Sequence, residues 1–141
     1  MFPLTRTCPE EYFLGRLEPQ HAALVVPYWL RDTPLTRRYF ESMIKNYHNV
    51  AMFWTDNPTK PIGWMLQYPY GNIAHTYVLE EFRGKGLSMI LRKEICYQII
   101  EGGDLPESAI VNGNSIATHL LKKAGYVEMF QDKALSIGLT K

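Results

Sequence analysis

Four stretches of the chain repeat their apolar residues at the spacing of an amphipathic helix. The clearest predicts a helix over Leu87–Ile100, with its apolar residues on one face. These residues are Leu87, Leu91, Ile95 and Ile99. A second helix is predicted over residues 34–46, because Thr33 can cap it and a proline suits its first turn. Shorter helices are predicted over residues 19–29 and in the stretch that Asn114 opens.

Shorter apolar runs between these helices predict strands. The runs cover residues 50–54, 62–68, 73–79, 108–111, 126–130 and 133–139, and a weaker candidate covers residues 12–17. The turn-rich stretch 56–61 separates the first two runs, and short connections of this kind favour antiparallel neighbours. The predicted fold class is α+β, arranged as α/β/α. We expect a mixed, mostly antiparallel sheet of about six to seven strands flanked by about four helices.

Composition adds mainly exclusions. The 141 residues are 46% hydrophobic and 21% charged, with a net charge of +1, which is typical of one globular domain, residues 1–141. No cationic run indicates a nucleic-acid partner, and no apolar run is long enough for a membrane span. Cys8 and Cys96 are far apart and lack metal-ligand partners, so we expect no metal and a reducing compartment. The expected location is intracellular, either cytoplasmic or mitochondrial, since the first residues do not resemble a secretory signal.

The candidate chemistry centres on Arg83-Gly84-Lys85-Gly86-Leu87-Ser88, between a predicted strand and the longest predicted helix. Two glycines at such a junction let backbone N–H groups approach an anion, and the helix N-terminus favours negative charge. A plain glycine turn that joins two elements is the alternative. A Walker A loop is excluded because its pattern does not occur, and a Rossmann fingerprint would need a glycine where Met89 stands.

Arg83, Gly86 and Ser88 form the pattern R-x-x-G-x-[GAS], which resembles the acyl-CoA pyrophosphate loop of the GNAT (Gcn5-related N-acetyltransferase) superfamily. Such loops usually end in Gly or Ala, so Ser88 is a mild departure. A second stretch, from Asn114 to Gly125, resembles the superfamily signature N-x-x-A-x-x-L-Y-x-K-x-G-F with small shifts. The order of the predicted elements is also that of a GNAT fold.

Within that superfamily, the chain is similar to the C-terminal half of the glycine N-acyltransferase group. The similarity covers about residues 15–130, and Leu79–Leu87 resembles that group's L-P-E-Y-R-x-x-G-L, with Glu80 where a proline is usual. The relatives are longer and carry an additional N-terminal domain. The resemblance implies an N-acyltransferase that moves the acyl group of acetyl-CoA or another acyl-CoA to a small amine such as glycine. Direct attack in a ternary complex is the implied route, and a homodimer is compatible with it.

The resemblance also assigns residues to the acyl-CoA. The pantetheine arm would lie along the backbone of Tyr77, Val78 and Leu79, with the Val78 N–H facing the thioester carbonyl as oxyanion donor. The pyrophosphate would lie on the loop, whose residues are Arg83, Gly84, Lys85, Gly86, Leu87 and Ser88. Asn114 resembles the family asparagine on the pantetheine or adenosine side, and it equally suits a helix N-cap.

The usual proton-handling residues are missing from the sequence. Many superfamily members carry a glutamate base eleven residues before the first arginine of the loop, and this position holds Asn72, which cannot take a proton. Leu121 stands where a tyrosine acid is common. His75 is the best replacement base, with a packed or surface histidine as the alternative. Strict alternation places His75 and Asn72 on opposite faces of the strand unless a bulge intervenes. Tyr77 is a weaker candidate acid.

Three functions therefore stay open at the level of sequence. They are a small-amine acyltransferase, a CoA-binding module with little catalysis, and an acetyltransferase for a protein N-terminus or lysine. The aromatic residues do not choose between them. Trp54 and Trp64 are predicted to belong to the core, whereas Tyr68 and Tyr70 flank a turn beside the expected acceptor site and are better pocket candidates.

Overall fold

The computed structural model describes residues 8–29, 32–111, 119, 126–131 and 134–139; for residues 107–111, 126–131, 134–139 and Ala74 it describes the backbone alone. The strands are β1 (Tyr12–Gly15), β2 (Asn49–Trp54), β3 (Asn57–Gln67), β4 (Asn72–Val78), β5 (Glu107–Val111), β6 (Tyr126–Gln131) and β7 (Ala134–Leu139). The helices with given bounds are α1 (Ala22–Val25), α2 (Pro34–Asn46) and α3 (Leu87–Glu101). Short 3-10 turns lie at Pro19–His21, Val26–Tyr28 and Glu80–Phe82. The helix predicted after Asn114 lies outside the described residues, apart from His119, which is helical.

The strands form one sheet in the order β1-β2-β3-β4-β5-β7-β6. Strands β2 to β4 make the predicted antiparallel meander, and β1, the weaker candidate, pairs antiparallel with β2. Strand β5 joins β4 in parallel and pairs with β7, which in turn forms a hairpin with β6. The parallel contact is short, because it joins only Asn72 to Glu107 and Ile73 to Ser108. The α+β fold class and the mixed, mostly antiparallel sheet are confirmed.

Helix α3 packs against β2 and β3 through the apolar face that its sequence predicts. Leu87, Leu91, Ile95 and Ile99 are all buried. Burial of each such side chain stabilises the fold by about 1.5–3 kcal/mol relative to leaving it exposed. The face of α3 therefore fixes the position of the helix N-terminus, which follows the glycine loop directly.

Helix α2 begins as predicted at the residue after Thr33. The Thr33 hydroxyl accepts a hydrogen bond from the Thr36 N–H at 3.1 Å, and the Thr36 hydroxyl accepts one from the Thr33 N–H at 2.8 Å. This reciprocal pair is a capping box with threonine at both positions. The helix buries Phe40, Met43 and Ile44, and Phe40 meets the side of the sheet on which His75 lies.

The prediction of a turn over residues 56–61 was wrong, because β3 already begins at Asn57. Its two prolines are tolerated there since β4 pairs with β3 only from Gly63 onward, so the first part of β3 has β2 as its neighbour. The register also shifts on both sides of Phe53, as expected where ladder hydrogen bonds are lost. The predicted helix over residues 19–29 is likewise divided into two 3-10 turns around α1.

The two tryptophans predicted for the core differ. Trp64 is 1% exposed and lies in the core, whereas Trp54 is 36% exposed at the end of β2, so its assignment to the core was wrong. Trp54 ends a strand whose last pairing is irregular, and its ring meets Phe82 edge-on at 5.8 Å instead of entering the main core. Within the described residues, no helix combines the length and the apolar character that a membrane span needs.

Candidate functional site

The end of β4 carries an open backbone edge. Its pairing with β5 stops at Ile73, so among the described strands the residues that follow pair with β3 alone. The Leu79 N–H donates to the Ile62 carbonyl at 2.9 Å, which shows that Leu79 faces β3. Because backbone groups alternate along an antiparallel strand, the N–H and C=O of Val78 and of Thr76 point to the other side. That side is the one on which β5 has diverged.

The loop that follows β4 is shaped by glycine. Gly84 and Gly86 have φ of +77° and +76°, and Gly86 is the N-cap residue of α3. Residues that carry a side chain rarely adopt this backbone conformation. A Cβ added at either position would meet no atom within 4 Å, so the space beside the loop is open. The first amides of α3 have no partners within the helix, and the dipole of the helix adds positive potential at the same point. The loop is therefore suited to an anion.

The open edge and the loop border one cleft of about 300 Å³. It is lined by Thr76, Tyr77, Val78, Phe82, Arg83, Gly84, Gly86, Leu87 and Ser88. Most of the residues predicted to hold acyl-CoA thus lie together, and Asn114 lies outside the described residues. Thr76 and Phe82 were missed by the sequence reasoning. The period of two along a strand could have found Thr76, since it shares an edge with Val78.

Two of the predicted contact residues do not line the cleft. Leu79 is buried beneath it, and its N–H is committed to Ile62. The Lys85 Nζ lies 5.7 Å from the centre of the Phe82 ring, on the side that faces Tyr12 and Trp54. Their assignment to acyl-CoA stays a prediction.

Arg83 lines the cleft, and its side chain makes two contacts with the end of β4. Its Nε donates to the Val78 carbonyl at 2.8 Å, and its Cζ lies 5.0 Å from the centre of the Tyr77 ring. The Tyr77 ring in turn stacks on Trp64 at 5.6 Å and meets the Tyr28 ring at 4.6 Å. Tyr28, which is 40% exposed, was missed by the sequence reasoning, because its only signal was its place near the end of a predicted helix.

A bulge lies in the middle of β4. Leu66 pairs with His75 and Gln67 pairs with Ile73, so Ala74 is an extra residue in the strand. Beyond a bulge, alternation resumes out of phase. Asn72 and His75 therefore lie on the same face of the sheet, whereas strict alternation would have placed them on opposite faces.

His75 is 4% exposed and sits among aromatic rings. The Trp64 indole Nε1 donates to its Nε2 at 3.1 Å, and the rings of Trp29 and Phe40 meet it edge-on at 4.9 and 5.3 Å. Burial lowers the pKa of His75 to about 4, so the imidazole is neutral at pH 7. Because Nε2 accepts a hydrogen bond, the ring proton resides on Nδ1. The role of His75 as a base stays a prediction, and this environment favours a packed histidine.

The turn between β3 and β4 holds the two tyrosines proposed as pocket candidates. Tyr70 is 91% exposed at the tip. Tyr68 is half-buried, and its hydroxyl has no hydrogen-bond partner among the described residues. Burial, with a smaller contribution from Tyr39, raises the pKa of Tyr68 to about 12, so it does not ionise at neutral pH. Its N–H donates to the Asn72 carbonyl at 2.8 Å, which brings Asn72 beside it.

Other sequence candidates contribute less. Leu121, at the position of the usual acid, lies outside the described residues. Cys96 is buried in α3, and burial together with Glu11 raises the pKa of Cys8, so neither thiol is an activated nucleophile. No group of three or more His, Cys, Asp or Glu side chains within the described part of the chain could hold a metal ion.

Comparison with known proteins places these features in a family. The family described as FR47-like protein matches residues 52–135, which is more than half of the chain. Bovine (Bos taurus) glycine N-acyltransferase is 30% identical over 80 residues, which are 56% of this chain and 26% of that protein. The chain therefore matches about a quarter of the length of this curated relative.

Solved structures share the fold. A Drosophila protein superposes with a TM-score of 0.79 at 23% identity, covering 95% of this chain and 44% of its own. A chain of the NatC complex bound to Gag peptide and CoA superposes with a TM-score of 0.71 at 17% identity, covering 93% and 99%. At these identities the likeness concerns the fold, which a putative acetyltransferase of the GNAT family from Desulfovibrio desulfuricans shares with a TM-score of 0.68 at 17% identity, covering 91% of this chain and 98% of its own.

Proposed function

This chain belongs to the FR47-like family of the GNAT superfamily, and we propose that it transfers an acyl group from acyl-CoA to a small amine. Acetyl-CoA is the simplest donor, and glycine or a related amino acid is the acceptor class. The observation that carries the proposal is the open edge of β4 beside the glycine loop. A free strand edge followed by a helix N-terminus suits a ligand that has an amide-containing arm and a pyrophosphate.

The residues of the cleft would divide the ligand between them. The outward N–H and C=O of Thr76 would pair with the pantetheine amides as a neighbouring strand does. The loop amides and the first turn of α3 would hold the pyrophosphate, with Gly84 and Gly86 allowing close approach. The Val78 N–H would then donate to the thioester oxygen and stabilise the negative charge that develops during attack.

Direct attack by the amine is the proposed route. The two thiols are not activated and neither lines the cleft, which argues against an acyl-enzyme. The acceptor must arrive as a neutral amine or lose its proton at the site. Asn72 cannot take that proton, and His75 would have to act through Nδ1. The proposal therefore predicts a rate that rises with pH as more amine becomes neutral.

Two alternatives have a specific observation each. Asn72 at the usual base position favours a CoA-binding module with little catalysis. The half-exposed Tyr28, whose ring packs on that of the cleft residue Tyr77, favours an open acceptor groove, and the NatC chain that shares the fold belongs to a complex bound to a peptide and CoA. A peptide N-acetyltransferase is therefore the second candidate function.

Release of the CoA thiol separates these functions. The chain is mixed with acetyl-CoA and either glycine, a short peptide with a free N-terminus, or no amine. The proposal predicts release that depends on glycine and saturates with it. Release with the peptide alone would support the second candidate. Binding of acetyl-CoA without release for either amine would support the CoA-binding module and contradict the proposed transfer.

A further inference from the structure

We propose that Tyr68 is a specificity-determining residue, whose hydroxyl donates a hydrogen bond to the carboxylate of the acceptor amino acid. This role rests on the proposed acyltransferase function and extends it from acyl-CoA to the acceptor. The cleft beside the glycine loop would hold acyl-CoA, whereas Tyr68 would select an amine that carries a carboxylate on the neighbouring carbon.

The Tyr68 hydroxyl is buried without a hydrogen-bond partner among the described residues. The ring of Trp29 meets the Tyr68 ring edge-on at 6.2 Å, and an indole has no acceptor atom to offer. A buried polar group that stays unbonded costs free energy, and most such groups in folded proteins are bonded. The hydroxyl therefore has a free donor for a partner that the described part of the chain does not supply.

The Tyr68 ring lies at the place where the acceptor amine is expected. Trp29 meets both Tyr68, at 6.2 Å, and His75, at 4.9 Å. The Tyr68 N–H donates to the carbonyl of Asn72, the residue at the position of the usual base. The bulge at Ala74 puts Asn72 on the face of the sheet that His75 occupies. Tyr68, Asn72 and His75 are therefore close together on one side of the sheet.

The chemistry of the hydroxyl suits an acceptor oxygen. Burial, with a smaller contribution from Tyr39, raises the pKa of Tyr68 to about 12, so the group keeps its proton at neutral pH and can donate it to a hydrogen bond. A hydrogen bond to the amine would occupy the lone pair that must attack. A carboxylate on the neighbouring carbon accepts the hydrogen bond and leaves that lone pair free. The neutral Asn72 does not repel this carboxylate, as a glutamate would.

The hydroxyl must become accessible when the acceptor binds, because the structure shields it from water. Tyr39 contributes to the pKa of Tyr68, so it lies near the hydroxyl, and it is 44% exposed. A rotation of the Tyr39 side chain would open a path from the solvent to the hydroxyl.

Tyr68→Phe tests this role, because it removes the hydroxyl and keeps the ring. Turnover is measured at saturating acetyl-CoA with glycine or with ethylamine, which has the amine and lacks the carboxylate. The variant is expected to raise the KM for glycine by about tenfold or more, the worth of one hydrogen bond to a charged group, with little change in kcat. Ethylamine should be a poor acceptor for the wild type and an equally poor one for the variant. Calorimetric titration should show the wild-type affinity for acetyl-CoA.

Thermal unfolding adds a readout that needs no turnover. Since the hydroxyl has no partner among the described residues, Tyr68→Phe is expected to unfold at the wild-type temperature or above it. Tyr12→Phe is the matched control, which removes a tyrosine hydroxyl elsewhere in the sheet. Tyr12 lies in β1, which β2 separates from β3, and its ring packs edge-on against Phe82. This variant should keep the wild-type KM for glycine.

Three results would overturn this role while leaving the proposed function in place. The first is a wild-type KM for glycine in Tyr68→Phe. The second is an unfolding temperature of that variant clearly below the wild type, which would show that the hydroxyl is bonded within the fold. The third is an equal loss with glycine and with ethylamine, which would mean that the hydroxyl does not act on the carboxylate. Absence of glycine turnover in the wild type would instead contradict the proposed function itself.

Discussion

Strand β4 contains two regions that are built in opposite ways. Its end, from Thr76 to Val78, presents backbone groups on an open edge. In the loop that follows, up to Ser88, glycines leave the cleft free of side chains at two positions. Its middle, around His75, is closed by aromatic rings and by a buried hydrogen bond from Trp64. The first region can accept a ligand without disturbing the core. The second can hardly change without destabilising the fold, so substitutions should separate binding from stability.

The largest expected effect belongs to the open region. Gly86→Glu should lower the affinity for acetyl-CoA by about a hundredfold or more, because its carboxylate would lie where the pyrophosphate is expected and would repel it. Calorimetric titration measures this loss.

Gly103→Glu is the control for Gly86→Glu. Gly103 also has positive φ, at +93°, and open space around its Cβ, so the strain of substitution is similar there. It should bind acetyl-CoA like the wild type. An equal loss in both variants would show that strain, and not the loop, is responsible.

The closed region should respond to pH. The pKa of His75 is about 4 in the folded chain, whereas its ordinary value is 6.5. Between these two values only the unfolded chain takes up the proton, so the free energy of unfolding should fall as pH decreases from about 6.5 to 4. The expected fall is roughly 3 kcal/mol, and it should level off below the folded pKa. Denaturant unfolding at pH 7, 5 and 4 measures it.

His75→Phe isolates the contribution of this one residue. The variant is expected to be less stable than the wild type at pH 7, because the Trp64 indole loses its acceptor, and this difference should shrink or reverse toward pH 4. Its stability should nevertheless depend less on pH than that of the wild type, since the other titrating groups are common to both. An identical pH dependence in the two proteins would mean that His75 does not remain neutral in the fold.

The two tryptophans sharpen the comparison with a smaller effect. Trp64→Phe removes buried volume and leaves His75 Nε2 without its donor, and we expect a loss of about 2–3 kcal/mol in the free energy of unfolding. Trp54→Phe, at a site that is 36% exposed, should cost less than about 1 kcal/mol. Denaturant unfolding of both at pH 7 tests the order. Equal losses would contradict the assignment of Trp64 alone to the core.

The sequence predicts the parts of the fold that depend on local patterns. The apolar face of α3 repeats every four residues, and the Thr33 cap lies immediately before Pro34, so both could be located without knowing the neighbours. The glycine loop could be predicted for the same reason, because its two residues with positive φ and the helix after them are contiguous in sequence.

The other features depend on the pairing of strands. Ala74 is a bulge only because Gln67 and Leu66 pair with the residues on either side of it, and that register places Asn72 and His75 on the same face. The bond from Trp64 to His75 crosses between strands in the same way. Local patterns carry no information about register, so the environment of His75 and the point at which β5 leaves β4 could not be predicted from them.

Hydrogen exchange with and without acetyl-CoA tests the central claim most directly, since it reports on the backbone amides that the open region presents. The account predicts that acetyl-CoA slows exchange over Thr76, Val78 and the amides from Gly84 to Met89, and leaves the already buried region around His75 unchanged. Unchanged exchange over that edge and loop at saturating acetyl-CoA would contradict the account.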